Sequence, residues 1–130
     1  MAERKVLVVD DEVHIIHVVA IKLRNNGYEV ISAENGDEAF TLACEEKPDI
    51  IVSDYQMPGM TGLELVRKLR QNETTKDIPV IMLTARGFAV EDKEKEELDI
   101  SELLSKPFSP KELLRSIDDI LYQRTVMRDK

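Results

Sequence analysis

The chain has 130 residues, 42% of them hydrophobic and 34% charged, and it carries a net charge of −8 at pH 7. This length and composition are those of one globular domain with a buried core, and they exclude a disordered chain. No apolar run approaches the roughly 20 residues of a membrane helix, and so many acids disfavour direct binding to nucleic acid. The single Cys44 can form no intrachain disulfide, which favours a reducing cytoplasm, and we assign it no chemistry.

The first strand and the first helix are predicted at the amino end of the chain. Lys5–Val9 is a continuous apolar run, typical of a buried strand, and a helix ending near residue 27 follows it. The residues predicted to form the apolar face of this helix are Ile15, Val18, Val19 and Leu23. Ile16 and Ala20 fall outside that stripe, as ordinary exposed apolar area or as a docking surface for a partner protein. We interpret His14 and His17 as part of a solvated helix face.

Two helices and three strands are predicted in the middle of the chain. Tyr28–Ser32 alternates apolar and polar residues, as an edge strand does, and Asn35 precedes a second helix. Asp49–Ser53 is the third strand, Gly62 begins a third helix, and Ile78–Leu83 is the fourth strand.

The last part of the chain is less regular. Val90–Leu98 should form the fourth helix, but it is polar nearly all round, so we expect it to be short or weakly anchored. Glu102–Ser105 is a weak fifth strand. Ser109 and Pro110 have the pattern of an N-cap followed by proline at the first helical position. The apolar residues expected on this last helix are Leu113, Leu114, Ile117 and Leu121.

Strands that are continuously apolar and alternate with helices predict an α/β fold, in which one parallel sheet is covered on both faces. We expect a single domain over residues 1–124 and a short C-terminal tail over residues 125–130.

Polar side chains follow several strands at the edge where sites form in open parallel sheets. They are Asp10, Asp11, Asp54, Thr84 and Lys106. Like charges 4 Å apart repel by about 4 kcal/mol at an effective dielectric of 20, so three clustered carboxylates require a cation or a raised pKa. Hard oxygen ligands point to Mg²⁺ or a similar ion. Together with a lysine and a hydroxyl, such a site suits a phosphoryl group, and a carboxylate within it can act as the nucleophile.

The motifs VVDDE, SDYQMPGMTG, IMLTA and SKPFSPKEL, in this order, resemble the receiver domain of two-component response regulators, which includes the stand-alone chemotaxis regulator. The resemblance covers residues 5–122. It implies a flavodoxin-like fold in which five helices flank a five-stranded parallel sheet of order 2-1-3-4-5.

The resemblance also implies a site. Asp54 would accept a phosphoryl group from a histidine kinase or a histidine phosphotransfer protein. Mg²⁺, with Mn²⁺ as an alternative, would be held by Asp10, Asp11, Asp54 and the backbone carbonyl of Gln56. Such a domain catalyses its own phosphorylation and dephosphorylation and turns over no external substrate, so we do not class it as an enzyme.

Further roles follow from the same resemblance. Thr84 and Lys106 would contact the phosphoryl group, with Thr84 carrying the switch to a downstream output partner. Gln56 and Arg86 occupy the two positions that tune dephosphorylation in the family. The Lys106-Pro107 bond matches one that is often cis in receiver domains.

The chain departs from the family pattern ahead of the active-site lysine. Leu103 occupies a position that usually holds an aromatic residue, and Asp99 and Ile100 stand where a Gly-Ala pair is usual. This departure leaves room for a scaffold that no longer depends on phosphate. A second alternative is an aspartyl-phosphate phosphatase, but those enzymes need a second aspartate where this chain has Gln56.

Overall fold

Five parallel strands form one sheet in the computed structural model, which describes residues 4–85 and 92–128. The strands are β1 (Lys5–Val9), β2 (Glu29–Ala33), β3 (Ile50–Asp54), β4 (Val80–Thr84) and β5 (Ile100–Ser105). The helices are α1 (Val13–Arg24), α2 (Gly36–Glu46), α3 (Gly62–Arg70), α4 (Asp92–Glu97) and α5 (Pro110–Arg128). The sheet order is β2-β1-β3-β4-β5, so the predicted fold class and strand order are confirmed.

Both faces of the sheet are buried, because alternate side chains of each strand point to opposite faces. Leu7, Ile51 and Met82 point to the face covered by α2 and α3. Val8 and Ile81 point to the other face, beneath α1 and α5. All residues of β3 and β4 are buried, which explains why these strands are apolar except near their carboxyl ends.

β1 has the predicted ends, whereas the other strands begin or end one or two residues from the predicted positions, because hydrogen bonding rather than hydrophobicity sets strand ends. β3 includes Asp54 and β4 includes Thr84, so both polar side chains lie on the last residue of a strand. β5 begins at Ile100, two residues before the predicted start. Val80 pairs with Ile100 and Ile81 with Glu102, which leaves one extra residue in β5.

The predicted apolar face of α1 was wrong in part. The buried residues of this helix are Ile16, Val19, Ala20 and Leu23. Val18 is 51% exposed, and Ile15 is half-buried at the edge of the core. Ile16 and Ala20 are therefore core residues and not exposed apolar area, because the helix turns its 16–19–20–23 stripe to the sheet.

Three helix starts are capped by side chains. Asn35 accepts a hydrogen bond from the amide of Glu38, and Ser109 accepts one from the amide of Glu112, as their positions predicted. Thr61 precedes α3 and forms a reciprocal capping box with Glu64. These caps fix the loops that enter α2, α3 and α5 from the carboxyl edge of the sheet.

Helix α4 is short and has no buried residue, as its polar sequence predicted. The first two residues of the predicted helix, Val90 and Glu91, lie outside the described residues. Leu98, directly after the helix, is buried. None of the helices in the described ranges is long and apolar enough to cross a membrane.

Several arginines bind backbone carbonyls near the amino edge of the sheet. Arg70 donates to the carbonyls of Ile78 at 2.7 Å and Leu98 at 2.8 Å, and also to those of Lys76 and Asp99. Arg124 donates to the carbonyl of Asp77 and Arg4 to that of Leu121. These guanidinium groups tie the ends of α3, α4 and α5 to the loops below the strands.

Candidate functional site

The carboxyl edge of the sheet brings three predicted residues into direct contact. Asp10 directly follows β1, Asp54 ends β3 and Lys106 directly follows β5. The ammonium nitrogen of Lys106 lies 3.1 Å from a carboxylate oxygen of Asp10 and 3.3 Å from one of Asp54. Both aspartates are buried, whereas the lysine reaches the surface.

The acidic cluster contains one residue that the sequence reasoning missed. Carboxylate oxygens of Asp10, Asp11 and Glu12 lie within 4.8 Å of one another. The amide of Glu12 donates to Asp10 at 2.9 Å, which fixes the turn between β1 and α1. A carboxylate oxygen of Glu12 also lies 3.5 Å from Lys106. A signal for Glu12 was present in the sequence, since it is the third acid in the run that follows β1.

The Thr84 hydroxyl is bonded to a backbone carbonyl and not to the acids in this structure. Thr84 is 3% exposed and ends β4, beside β5 in the sheet. Its hydroxyl donates to the backbone carbonyl of Leu104 at the long distance of 3.5 Å. The sequence therefore predicted the strand position of Thr84 correctly, but its hydroxyl does not contact the carboxylates.

A cleft of about 590 Å³ lies above the sheet at the acidic cluster. Residues that line it include Asp11, Asp54, Gln56, Thr61 and Lys106. Arg86, the second residue proposed to tune dephosphorylation, lies outside the described residues. The Lys106-Pro107 bond is cis, as the resemblance implied.

Gly62 lies directly against the end of β3. Its amide donates to the carbonyl of Tyr55 at 2.8 Å, which folds the β3–α3 loop back on the strand end. A Cβ atom at this position would lie 2.6 Å from both the carbonyl oxygen of Asp54 and the sulfur of Met82. Only glycine lets α3 begin this close to Asp54.

Burial and charge shift the ionisation of the site. Burial, together with the charge of Asp10, raises the pKa of Asp54 from 3.8 to about 6, against the opposing effect of Lys106. Burial likewise raises the pKa of Asp10. Burial alone would lower the pKa of Lys106, but its bonds to the two aspartates outweigh burial and raise it. At neutral pH Asp54 is therefore mostly an ionised carboxylate, the form that can act as a nucleophile.

An apolar groove of about 460 Å³ adjoins the cleft. It runs between α1 and the β5–α5 loop and is lined by Ile15, Val18 and Phe108 among others. Glu12 and Lys106 line both the groove and the cleft. On the opposite side of the sheet, Leu103 is half-buried and packs against the apolar cluster beneath α2 and α3.

Residues 6–118 match the sequence family described as the response regulator receiver domain. The chain belongs to this family, so it is a receiver domain of two-component signal transduction, in which such domains serve as phosphoacceptors.

Individual relatives agree with this membership. The chain is 41% identical over 123 residues to the phosphate regulon transcriptional regulatory protein PhoB of Pseudomonas aeruginosa, covering 93% of this chain and 53% of that protein. It is 39% identical to the alkaline phosphatase synthesis transcriptional regulatory protein PhoP of Bacillus subtilis, covering 91% of this chain and 48% of that protein. The chain thus spans about half the length of these curated relatives.

Solved structures show the same fold. The chemotaxis response regulator CheY4 of Vibrio cholerae is 36% identical and superposes with a TM-score of 0.84, covering 92% of this chain and 99% of that one. A response regulator receiver domain protein from Clostridium thermocellum is 26% identical with a TM-score of 0.80, covering 95% of this chain and 98% of that one.

Proposed function

We propose that this domain accepts a phosphoryl group on Asp54 from a histidine kinase or a histidine phosphotransfer protein, and that phosphorylation changes its affinity for an output partner. The observation that carries the proposal is the position of Asp54 at a strand end. Its carboxylate lies 3.3 Å from the Lys106 ammonium and opens on the acidic cleft. Lys106 is thereby positioned to stabilise charge on a group bound to Asp54.

The acidic site suits a divalent cation of the magnesium type. Its donor set consists of carboxylate oxygens, which hard cations prefer. These oxygens lie close together on Asp10, Asp11 and Glu12, with the Lys106 ammonium beside them. We assign the cation to Asp10, Asp11, Asp54 and the backbone carbonyl of Gln56, and Mn²⁺ would suit the same oxygens. When bound, Mg²⁺ would neutralise the acids and stabilise charge on the phosphoryl oxygens.

Phosphorylation would proceed by direct displacement. A carboxylate oxygen of Asp54 attacks phosphorus as the bond from phosphorus to the donor breaks, and the leaving group departs with that electron pair. Lys106 stabilises the transferred group. The Thr84 hydroxyl breaks its hydrogen bond to the carbonyl of Leu104 and donates to a phosphoryl oxygen instead. Attack of water on phosphorus later releases phosphate, and we assign Gln56 and Arg86 to tuning this step.

Such a domain modifies only itself and is not an enzyme in the usual sense. We assign residues 1–124 to the receiver domain and residues 125–130 to a short C-terminal tail, of which residues 125–128 continue α5. We propose that the domain acts in the cytoplasm. We propose no direct contact with nucleic acid and no membrane insertion by this domain.

Phosphorylation of Asp54 can be tested by intact-mass measurement. With Mg²⁺ and acetyl phosphate, the wild type should gain one acid-labile phosphoryl group and Asp54→Asn should gain none. Asp37→Asn, which removes an exposed aspartate on α2, is the matched control and should label like the wild type. Full labelling of Asp54→Asn would refute the assignment.

A further inference from the structure

Glu12 is a third carboxylate in contact with Lys106, beyond those to which we assign the cation and the phosphoryl group. It lies 3.5 Å from the lysine nitrogen, compared with 3.1 Å for Asp10 and 3.3 Å for Asp54. The side chain of Glu12 is 48% exposed, whereas those of Asp10 and Asp54 are 0% and 8% exposed. Glu12 therefore holds Lys106 from the solvent side, and the two aspartates hold it from below.

The position of Glu12 places it at the entrance to the site. It lines both the acidic cleft and the apolar groove between α1 and the β5–α5 loop. A phosphodonor that approaches Asp54 from the groove side therefore passes its carboxylate. The phosphoryl group of the donor is itself anionic, so this carboxylate repels it, and the repulsion grows with the charge of the donor.

We propose that Glu12 is a specificity-determining residue for the phosphodonor. Its carboxylate disfavours small dianionic donors, and it stays in contact with the Lys106 ammonium until a phosphoryl group takes its place. The inference rests on the proposed phosphorylation of Asp54. A small donor has only its phosphoryl group with which to bind, so it bears the repulsion without compensation. A protein donor also gains binding energy from its contacts with the surface of the domain, which offsets the repulsion.

The charge of the donor separates this role from a purely structural one. At neutral pH acetyl phosphate is a dianion and phosphoramidate is mainly a monoanion. Both donors phosphorylate the same carboxylate, with loss of acetate in the first case and of ammonia, protonated by solvent, in the second. A change in the general reactivity of Asp54 alters both rates equally, whereas a change in repulsion alters the rate with acetyl phosphate more.

The experiment compares wild type, Glu12→Gln and Glu34→Gln at saturating Mg²⁺, with labelling rates measured by intact mass over a range of donor concentrations. Glu34 is exposed and lies just after β2 at the same edge of the sheet, so its variant controls for net charge. Glu12→Gln should raise the second-order rate constant about fivefold for acetyl phosphate and about twofold for phosphoramidate. Salt should reduce this gain, and Glu34→Gln should show neither change.

Calorimetric titration of Mg²⁺ gives a second readout, in which the dissociation constant of Glu12→Gln should stay within about threefold of wild type. Equal changes with the two donors, no change, or a slower reaction of Glu12→Gln with acetyl phosphate would each overturn the role of Glu12. Labelling of wild type that leaves Asp54 unmodified would instead overturn the proposed function, and this inference with it.

Discussion

Asp10 and Asp54 hold buried carboxyl groups at the ends of neighbouring strands, with one ammonium between them. Burial disfavours the charged form of each acid, and the mutual repulsion adds to this effect. A protonated Asp54 therefore suits the metal-free folded state better than an ionised one. The buried acids that the proposed phosphoryl chemistry requires therefore lower the stability of the metal-free domain.

The metal-free domain should lose stability as pH rises from about 4 to about 6. The pKa of Asp54 is raised from 3.8 to about 6 by folding, so the folded state binds the proton more tightly than the unfolded state in this interval. The contribution is on the order of 3 kcal/mol. Urea denaturation in the presence of a chelator should show this loss for wild type, and Asp54→Asn should show a flatter profile. A stability that rises equally for both proteins over this interval would contradict the prediction.

The positions of the site residues could be predicted from the sequence, because parallel strands end at one edge and Asp10, Asp54 and Lys106 each follow an apolar run. The direction of the Thr84 hydroxyl could not be predicted. It depends on a rotamer and on the carbonyl of Leu104 in a neighbouring strand. Glu12 was overlooked because it lies three residues beyond the end of β1, so the strand end alone does not place its side chain against Lys106.

At the scale of single elements, the sequence of α1 does not by itself determine which face of the helix packs against the sheet. Its sequence VHIIHVVAIKLR contains apolar residues on most sides, so two overlapping stripes share Val19 and Leu23. Packing against β1 and α5 decides between them, and that information lies outside the helix. The capped helices, by contrast, begin where Asn35 and Ser109 predicted, because a cap is a local interaction.

Substitutions in α1 test this orientation. Ile16→Ala should lower the free energy of unfolding by about 2–4 kcal/mol, since it removes a buried side chain and leaves a cavity. Val18→Ala is the matched control and should change the stability by less than about 0.5 kcal/mol, because Val18 is exposed. Chemical denaturation measures both values. Equal losses would mean that the helix turns its other stripe to the sheet.

The C-terminal end of α4 depends on a side chain from another helix. Arg70 of α3 donates to the carbonyls of Leu98 and Asp99, which have no partner in the next helical turn. Arg70→Gln should therefore reduce stability by about 1–3 kcal/mol and speed hydrogen exchange over residues 92–99 more than elsewhere. Arg67→Gln on the exposed side of α3 is the control, and an exchange pattern matching that of Arg67→Gln would contradict the role of Arg70.

At the scale of the whole molecule, metal binding and folding should be coupled. Asp11→Asn removes one carboxylate from the cluster, so it should raise the melting temperature in a chelator and reduce the gain from Mg²⁺. For wild type, a ligand at 100 times its dissociation constant adds about 2.7 kcal/mol. Calorimetric scans with and without Mg²⁺ measure both quantities. An Asp11→Asn protein that melts below wild type in chelator would show that hydrogen bonds, and not repulsion, dominate around Asp11.

The arginines bonded to carbonyls below the strands give the molecule a further physical property. The carbonyl oxygens accept hydrogen bonds from these guanidinium groups but carry no net charge that would neutralise them. The arginines lie at the edge opposite the acidic residues, which are Asp10, Asp11, Glu12 and Asp54. These charges contribute a component of the electric dipole along the strands, with the acidic cluster at its negative end. A partner with a cationic face is turned toward that end before contact, at a rate that falls with ionic strength. Phosphorylation of Asp54 would add negative charge at that end, so a change at one side chain would alter the long-range field of the whole domain.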